Sequence, residues 1–426
     1  MKNKNINLVV ADMGYGHQRP AHSLRYLAGN SIYNLNDYIG IEEWEKRYWE
    51  KSLKTYEKIS RLKKVPVLGS VIFKVMDEFQ KIRPFYPLRN LSRPTIQQYY
   101  FQLSIKKGLG LNLINSINDA HKPFVTTFFV AAYLAEYHNY LGDIYCIICD
   151  TDASRAWAPL KTRSSRVKLF LPNEKTRERF IMYGINPENL FVTGFPLPQE
   201  CIGTNDEIAK KNLCRRISNL DINNLYQNEY KSLIKSVVGS TCSKNNTVLT
   251  ISFAVGGAGA QKEIAITILN SLSYKIKKGL IKFNLIAGSR RDVFNYFVAE
   301  LSKLGLENSS NVSIIFAEEK NDYFDKFNNT INKTDILITK PSELSFYCAL
   351  GLPILILDPV GSQEDFNRKW LISVGAGVDA LEEQYTNQWL EDLLESGRLA
   401  RAAVDGYINA SREGVVNIEK ILDIKE

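Results

Sequence analysis

Four stretches of the chain hold residue types suited to group-transfer chemistry. In "GYGHQRP", residues 14–20, two glycines and His17 follow the apolar run "NINLVVAD". An imidazole titrates at about 6.5, so His17 suits proton transfer near neutral pH. In "CDTDASRAW", Asp152 offers a carboxylate that could act as a base or orient one. "ISFAVGGAGAQKE" sets Gly256, Gly257 and Gly259 between a strand and a helix. Bare backbone there lets a phosphate approach the N–H groups of the helix start. "ILITKPSELSFYCALGLPILILDPVGSQEDFN" adds Lys340, Ser342 and Glu343 after one strand, then Gln363 and Glu364 after the next. Polar groups at successive strand ends are where a nucleotide lies.

"GYGHQRP" by itself admits three readings: a phosphate cradle, an ordinary turn that His17 merely caps, or the mount of a catalytic histidine. The dinucleotide fingerprint needs a small residue where Arg19 stands, so it fails. No G-x-x-x-x-G-K-[ST] loop occurs anywhere in the chain. A tight turn exposing His17 at the carboxyl end of the first strand remains, with Pro20 suited to the first turn of a following helix.

Those positions require strands and helices in alternation. Ile6 to Ala11 reads as a strand, and "PFVTTFF", "DIYCIICD", "RVKLFLPN" and "NLFVTGFP" continue the series. A second series runs through "NTVLTISFAVGG", "IKFNLIAGS", "NVSIIFAEE", "DILITK" and "LPILILD". Apolar strands separated by amphipathic helices imply parallel sheets covered on both faces, hence an α/β fold of two doubly wound halves. The expected division is 1–198 for an N-terminal domain with a helical insertion at 41–110, and 199–246 for interdomain helices and linker. Residues 247–385 form the expected C-terminal domain, followed by helices at 386–426.

Composition is that of a globular protein, 45% hydrophobic and 23% charged over 426 residues. No apolar run reaches the roughly 18 to 20 residues that span a bilayer. The opening "MKNKNINLVV" has too short an apolar run for a signal peptide, so cytoplasmic residence is expected. The six cysteines agree with it. Cys146 and Cys149 form a lone C-x-x-C inside a strand, with no second pair to complete a zinc site, so no metal is expected. The surplus charge of +8 lies wholly in residues 41–110, which hold 15 Lys/Arg against 7 Asp/Glu and 11 aromatics. Such a segment attracts phosphate-bearing partners. Those partners are anionic lipid headgroups or nucleic acid, though no nucleic-acid-binding module accompanies the charge; Trp44, Trp49, Phe73, Phe85, Lys63, Lys64, Arg83 and Arg89 are the side chains that could meet a lipid surface. A helical insertion packed on the N-terminal domain is the alternative.

Taken in order over residues 6 to 378, the motifs resemble one branch of the GT-B glycosyltransferases. That branch contains the peptidoglycan lipid-linked GlcNAc transferase, the galactolipid (monogalactosyldiacylglycerol) synthases and the processive diacylglycerol glucosyltransferases. The resemblance rests on "GYGH", "CDTDASRAW", "LFLPNEKTRERF", "VTGFP", "GGAG", "LIAGS", "TK" with "GLP", and "PVGSQEDFN". It implies a GT-B-like pair of Rossmann-like domains facing across a cleft. It also implies inverting, metal-independent transfer from a nucleotide-diphosphate sugar, a UDP-sugar above all, with no cofactor. The acceptor hydroxyl implied is that of a lipid such as diacylglycerol, met at the inner face of the plasma membrane, where 41–110 stands in the place of a membrane-docking region.

Carried over, His17 is the base and Asp152 its orienter or an alternative base. Gly256, Gly257, Gly259 and Gln261 lie near the diphosphate with Gly288 beside them, and Phe316 packs the nucleotide base. Gln363 and Glu364 face the sugar hydroxyls, and Lys340, Ser342 and Glu343 complete the donor side. One departure stands out: Phe346 occupies the place of the family's ribose-binding glutamate, which Glu343 could replace from a shifted turn. Arg290 and Arg291 are further phosphate candidates or solvated residues of a helix start. Two other functions follow from the same fold: a nucleotide-sugar-binding protein without turnover, and a sugar-nucleotide 2-epimerase. The "G-x-G-H" turn speaks against the epimerase.

Overall fold

Runs of β-branched and large apolar residues without polar alternation make strands that must be covered on both faces. The computed structural model describes residues 5–62, 81–239, 242, 247–256, 259, 261–359 and 361–424. Among them, twelve strands form two six-stranded parallel sheets.

The first sheet holds β1 (Asn7–Val10), β2 (Ile32–Asn34), β3 (Phe124–Thr126), β4 (Ile144–Ile147), β5 (Val167–Leu171) and β6 (Leu190–Val192). Its order is β2-β1-β3-β4-β5-β6, so the winding reverses between β1 and β3. Val9 pairs with Thr126 in that junction, which brings the carboxyl ends of the two strands together. The second sheet holds β7 (Leu249–Ala254), β8 (Ile281–Gly288), β9 (Val312–Phe316), β10 (Ile336–Thr339), β11 (Ile354–Ile356) and β12 (Gly377–Asp379). Its order, β12-β11-β10-β7-β8-β9, reverses between β7 and β10. The sequence reading contains neither β2 nor β12, which have only three residues each. Their sequences, Ile-Tyr-Asn and Gly-Val-Asp, hold too few apolar residues to stand out, unlike the equally short β3, β6 and β11.

The chain divides into two units at Leu197, with two returns. The first comprises Met1–Leu197, Val360–Asn367 and Glu413–Glu426, and the second Pro198–Pro359 and Arg368–Arg412. This corrects the linear division in three places. Within 199–246 the expected helices are present but belong to the second unit: the helix Glu207–Leu220 buries Leu213, Ile217 and Leu220 in its core. Residues 360–367 leave the second unit for the first. The terminal helix Gly414–Ile421 also belongs to the first, where Val415 and Ile418 join Leu8, Val10 and Leu24. Such non-local returns leave no mark in local periodicity.

Cys214 and Cys242 form a disulfide, which the cysteine spacing did not suggest. Cys146, Cys149, Cys201 and Cys348 are buried thiols. No helix of the described residues is long and apolar enough to cross a membrane.

Residues 41–110 contain the helices Glu43–Leu62 and Ile96–Lys106, with irregular chain over 83–94. Trp49, expected at a lipid surface, is instead buried in the first unit's core. Phe85 is half-buried, with the Lys175 ammonium 3.3 Å from its ring centroid. Lys63, Lys64 and Phe73 lie outside the described residues. Trp44 is exposed, and the helix Ile96–Lys106 adds four exposed apolar groups, Ile96, Tyr99, Tyr100 and Leu103. At i, i+3, i+4 and i+7 they make one stripe along a helix whose opposite side buries Gln98 and Ile105.

Candidate active site

The helix after β1 starts at Tyr15 and runs to Leu24. His17 therefore belongs to its first turn, and Pro20 is an interior residue rather than a first-turn one. Pro20 has no N–H to give the carbonyl of Gly16, four residues back. Gly14 caps the helix at φ 120°, ψ 166°, a backbone closed to residues with a side chain. That conformation turns the chain sharply from β1 and sets His17 over the β1/β3 reversal.

Thr127, Phe128 and Trp157 surround the imidazole. Its Nδ1 lies 2.8 Å from the carbonyl oxygen of Thr127, just beyond β3. The Thr127 hydroxyl donates to the His17 carbonyl at 2.6 Å. Phe128 meets the ring edge-on at 5.1 Å, and Trp157 lies 5.8 Å away. Trp157 comes from the "CDTDASRAW" stretch, so the structure does bring that stretch to the histidine. Arg19, the residue that breaks the dinucleotide fingerprint, is buried beside the Tyr15 ring, 5.6 Å from its centroid.

Asp152 is otherwise engaged. Its carboxylate accepts from Arg179 Nε at 3.0 Å and from Nη2 at 2.8 Å, and both side chains are buried. Burial raises the Asp152 carboxyl, and the Arg179 guanidinium opposes that rise. Two charged hydrogen bonds thus clamp the carboxylate in a buried ion pair. Beside it, Thr151 and Asp150 both bond the side chain of Asn367, which lies in the helix Ser362–Ser373. Gln363 and Glu364 stand in the first turn of that helix, half-buried, and group with the first unit rather than with the donor-side residues.

The second unit assembles its own constellation at the β7/β10 reversal. Gly256 opens the turn after β7, its carbonyl accepting from the Gly259 N–H at 2.8 Å, and a Cβ there would stand 2.7 Å from Cε of Lys340, which follows β10. Only glycine lets the lysine lie across that turn. Gly259 has φ +72°, and Arg290 comes so near that its Nε would sit 3.1 Å from a Cβ there. Gln261, at φ 68°, caps the helix Lys262–Ser271 and donates to the Asp358 carbonyl at 3.2 Å. Asp358 lines a groove of about 700 Å³ with Glu382, Tyr385 and Trp389. Lys340 and Arg290, the latter ion-paired with Asp292 at 3.1 Å, thus both approach the glycines that precede the helix Lys262–Ser271. Gly257 lies outside the described residues.

The remaining donor-side residues are placed as follows. Gly288 ends β8 opposite Phe316 of β9. The half-buried Phe316 ring lies tilted against Phe294 at 4.8 Å and carries the Arg291 guanidinium at 4.7 Å, at the sheet's edge. Ser342 caps the 3-10 helix Glu343–Leu350 by accepting from the Leu344 N–H. Glu343 and Phe346 are both buried, the latter 5.3 Å from the Trp370 ring. Sequence reasoning missed Thr127, Phe128 and Arg179. An apolar strand end and a helix interior carry no motif, so no signal in the chain could have singled them out.

No family model matches this chain, and no curated protein matches it in sequence. Solved structures do share its fold. A Staphylococcus aureus MnaA structure with UDP matches 99% of this chain and 98% of its own, at 12% identity and a TM-score of 0.50. Acinetobacter baumannii MurG matches 99% and 100% at 12% identity and 0.48. A Neisseria meningitidis UDP-GlcNAc 2-epimerase bound to UDP-GlcNAc matches 98% and 98% at 15% and 0.45. The fold class is GT-B-like. Each unit is one Rossmann-like domain of it, and the residues above sit at the carboxyl ends of its strands, where ligands of open α/β sheets bind.

Proposed function

We propose that this protein is an inverting glycosyltransferase that moves a sugar from a UDP-sugar to an acceptor hydroxyl. His17 takes the proton of that hydroxyl. The oxygen's electron pair forms the new bond to the anomeric carbon while the bond from that carbon to phosphate oxygen breaks, and the released pair departs with the diphosphate. Lys340, Arg290 and the amides opening the Lys262–Ser271 helix meet the growing charge. Phe316 supports the base, and Gln363 and Glu364 bind sugar hydroxyls. The observation that carries this reading is that each sheet furnishes its point of reversal: His17 at β1/β3, and Gly256 with Lys340 at β7/β10. The UDP in the MnaA structure motivates uridine as the first nucleotide to try.

The acceptor in this reading belongs to a lipid, reached at an anionic membrane surface. The exposed stripe Ile96, Tyr99, Tyr100 and Leu103 supports it, with Arg93, Lys106 and Lys107 exposed beside it. Apolar groups flanked by cations suit the headgroup layer.

A second reading, nucleotide-sugar binding without turnover, is favoured by Phe346, buried against Trp370 where a polar group for the ribose is otherwise placed. One experiment separates the two. The purified chain is mixed with a panel of nucleotide sugars, and thermal shift and UDP release are recorded with and without liposomes containing diacylglycerol. Stabilisation together with acceptor-dependent release supports transfer. Stabilisation with no release under any acceptor supports the binding protein.

A further inference from the structure

We propose that Thr127 is the positioning residue of the acceptor side, setting both the tautomer and the aim of His17. The inference rests on the reading of His17 as the base. A carbonyl oxygen can only accept a hydrogen bond, so the Nδ1 held 2.8 Å from the Thr127 carbonyl carries the proton. In the neutral ring the lone pair then stands on Nε2, the nitrogen that takes the acceptor proton. The same residue grips the other end of His17, its hydroxyl donating to the His17 carbonyl at 2.6 Å. Ring and backbone are therefore fixed by one fully buried threonine.

The surroundings leave the ring little room to turn away. Phe128 presents its ring edge-on at 5.1 Å and Trp157 stands 5.8 Å away, while Cys149 directs its thiol at the same Thr127 carbonyl at 3.6 Å. A carbonyl has two lone pairs and accommodates both donors. The carboxylate that the sequence suggests as orienter, Asp152, is committed to Arg179. A neutral backbone acceptor thus does here what a carboxylate does in a histidine–carboxylate pair: it selects the tautomer and holds the ring, without adding charge.

The test reads the tautomer directly. The full chain is labelled with 15N-histidine, and long-range 1H–15N correlations are recorded at roughly pH 8, above the ordinary imidazole range. The chain has four histidines, and His17→Gln assigns the one of interest. The expected result is a His17 ring protonated at Nδ1 and bare at Nε2. A ring protonated at Nε2 overturns the proposal, whatever the turnover. An Nδ1-protonated ring in a protein whose His17→Gln variant still turns over supports the positioning and removes the base role instead. Kinetics supply the second arm. Thr127→Val keeps the shape and loses the hydroxyl, so kcat falls about five- to tenfold with the nucleotide-sugar KM within about twofold. Thr127→Ser restores the hydroxyl and most of kcat. A serine variant as slow as the valine one overturns the hydroxyl's part.

Discussion

The Nδ1 of His17 and the carbonyl oxygen of Thr127 stand 2.8 Å apart, joining the first turn after β1 to the end of β3. These two strands are neighbours only because the sheet order reverses between them. The bond therefore ties residues 110 positions apart into one rigid mount. It gives one nitrogen of the imidazole, Nδ1, a structural role.

Replacing His17 by alanine removes the proton acceptor. Turnover should fall by about 10²- to 10⁴-fold, the range typical of a general base. Binding of UDP, read by thermal shift, should be unchanged, since the residues proposed to hold the nucleotide belong to the other unit. A variant retaining full activity would remove His17 from the mechanism.

Lys340 lies across the Gly256 turn. Lys340→Met keeps much of the stem and loses the charge. UDP affinity should weaken about tenfold by calorimetry, as for a lost charge-assisted hydrogen bond to phosphate. Gly256→Val should weaken it as well, by pushing the lysine aside. Unaltered affinity in both variants would place the diphosphate elsewhere.

Asp152→Asn should be a stability variant. It leaves the buried Arg179 guanidinium without its counter-charge, and breaking such a pair costs about 3–5 kcal/mol. Urea unfolding measures this. An asparagine variant of wild-type stability but lost turnover would return Asp152 to the chemistry.

The cysteines can be counted. Burial pushes the thiols of Cys146, Cys201 and Cys348 up, so the reactive thiolate is scarce even in mildly alkaline buffer. A raised thiol stays protonated as pH climbs through the ordinary cysteine range, and the native protein should resist alkylation there. Unfolded without reductant, the chain should expose four thiols, and with reductant all six. Six without reductant would mean that Cys214 and Cys242 are not joined.

The exposed stripe makes a membrane prediction. Substituting Tyr99, Tyr100 and Leu103 by serine, or Arg93, Lys106 and Lys107 by glutamine, should reduce sedimentation with vesicles containing anionic lipid. The charge variant should lose most at low salt, where screening is weak. Undiminished sedimentation in both sets would assign the lipid contact to another surface.

Much of this was legible in the chain. The largely apolar runs at 7–10, 144–147, 249–254 and 336–339 pointed to parallel strands covered on both faces, because such a segment must bury both of its sides. Glycines at 14, 256 and 259 marked the turns, because only glycine takes those backbone shapes or leaves that space. Tertiary structure alone decided what each polar group meets. Asp152 looked like His17's companion in a linear scan, yet a guanidinium 27 residues further on claims it. Thr127 looked like strand filler, yet it holds the imidazole. Residues 360–367 and 413–426 returned to the first unit against every linear division. Local patterns record which face of an element is apolar. Which elements meet, and so which hydrogen bonds close, depends on the winding order of the sheets, and that is a property of the whole fold.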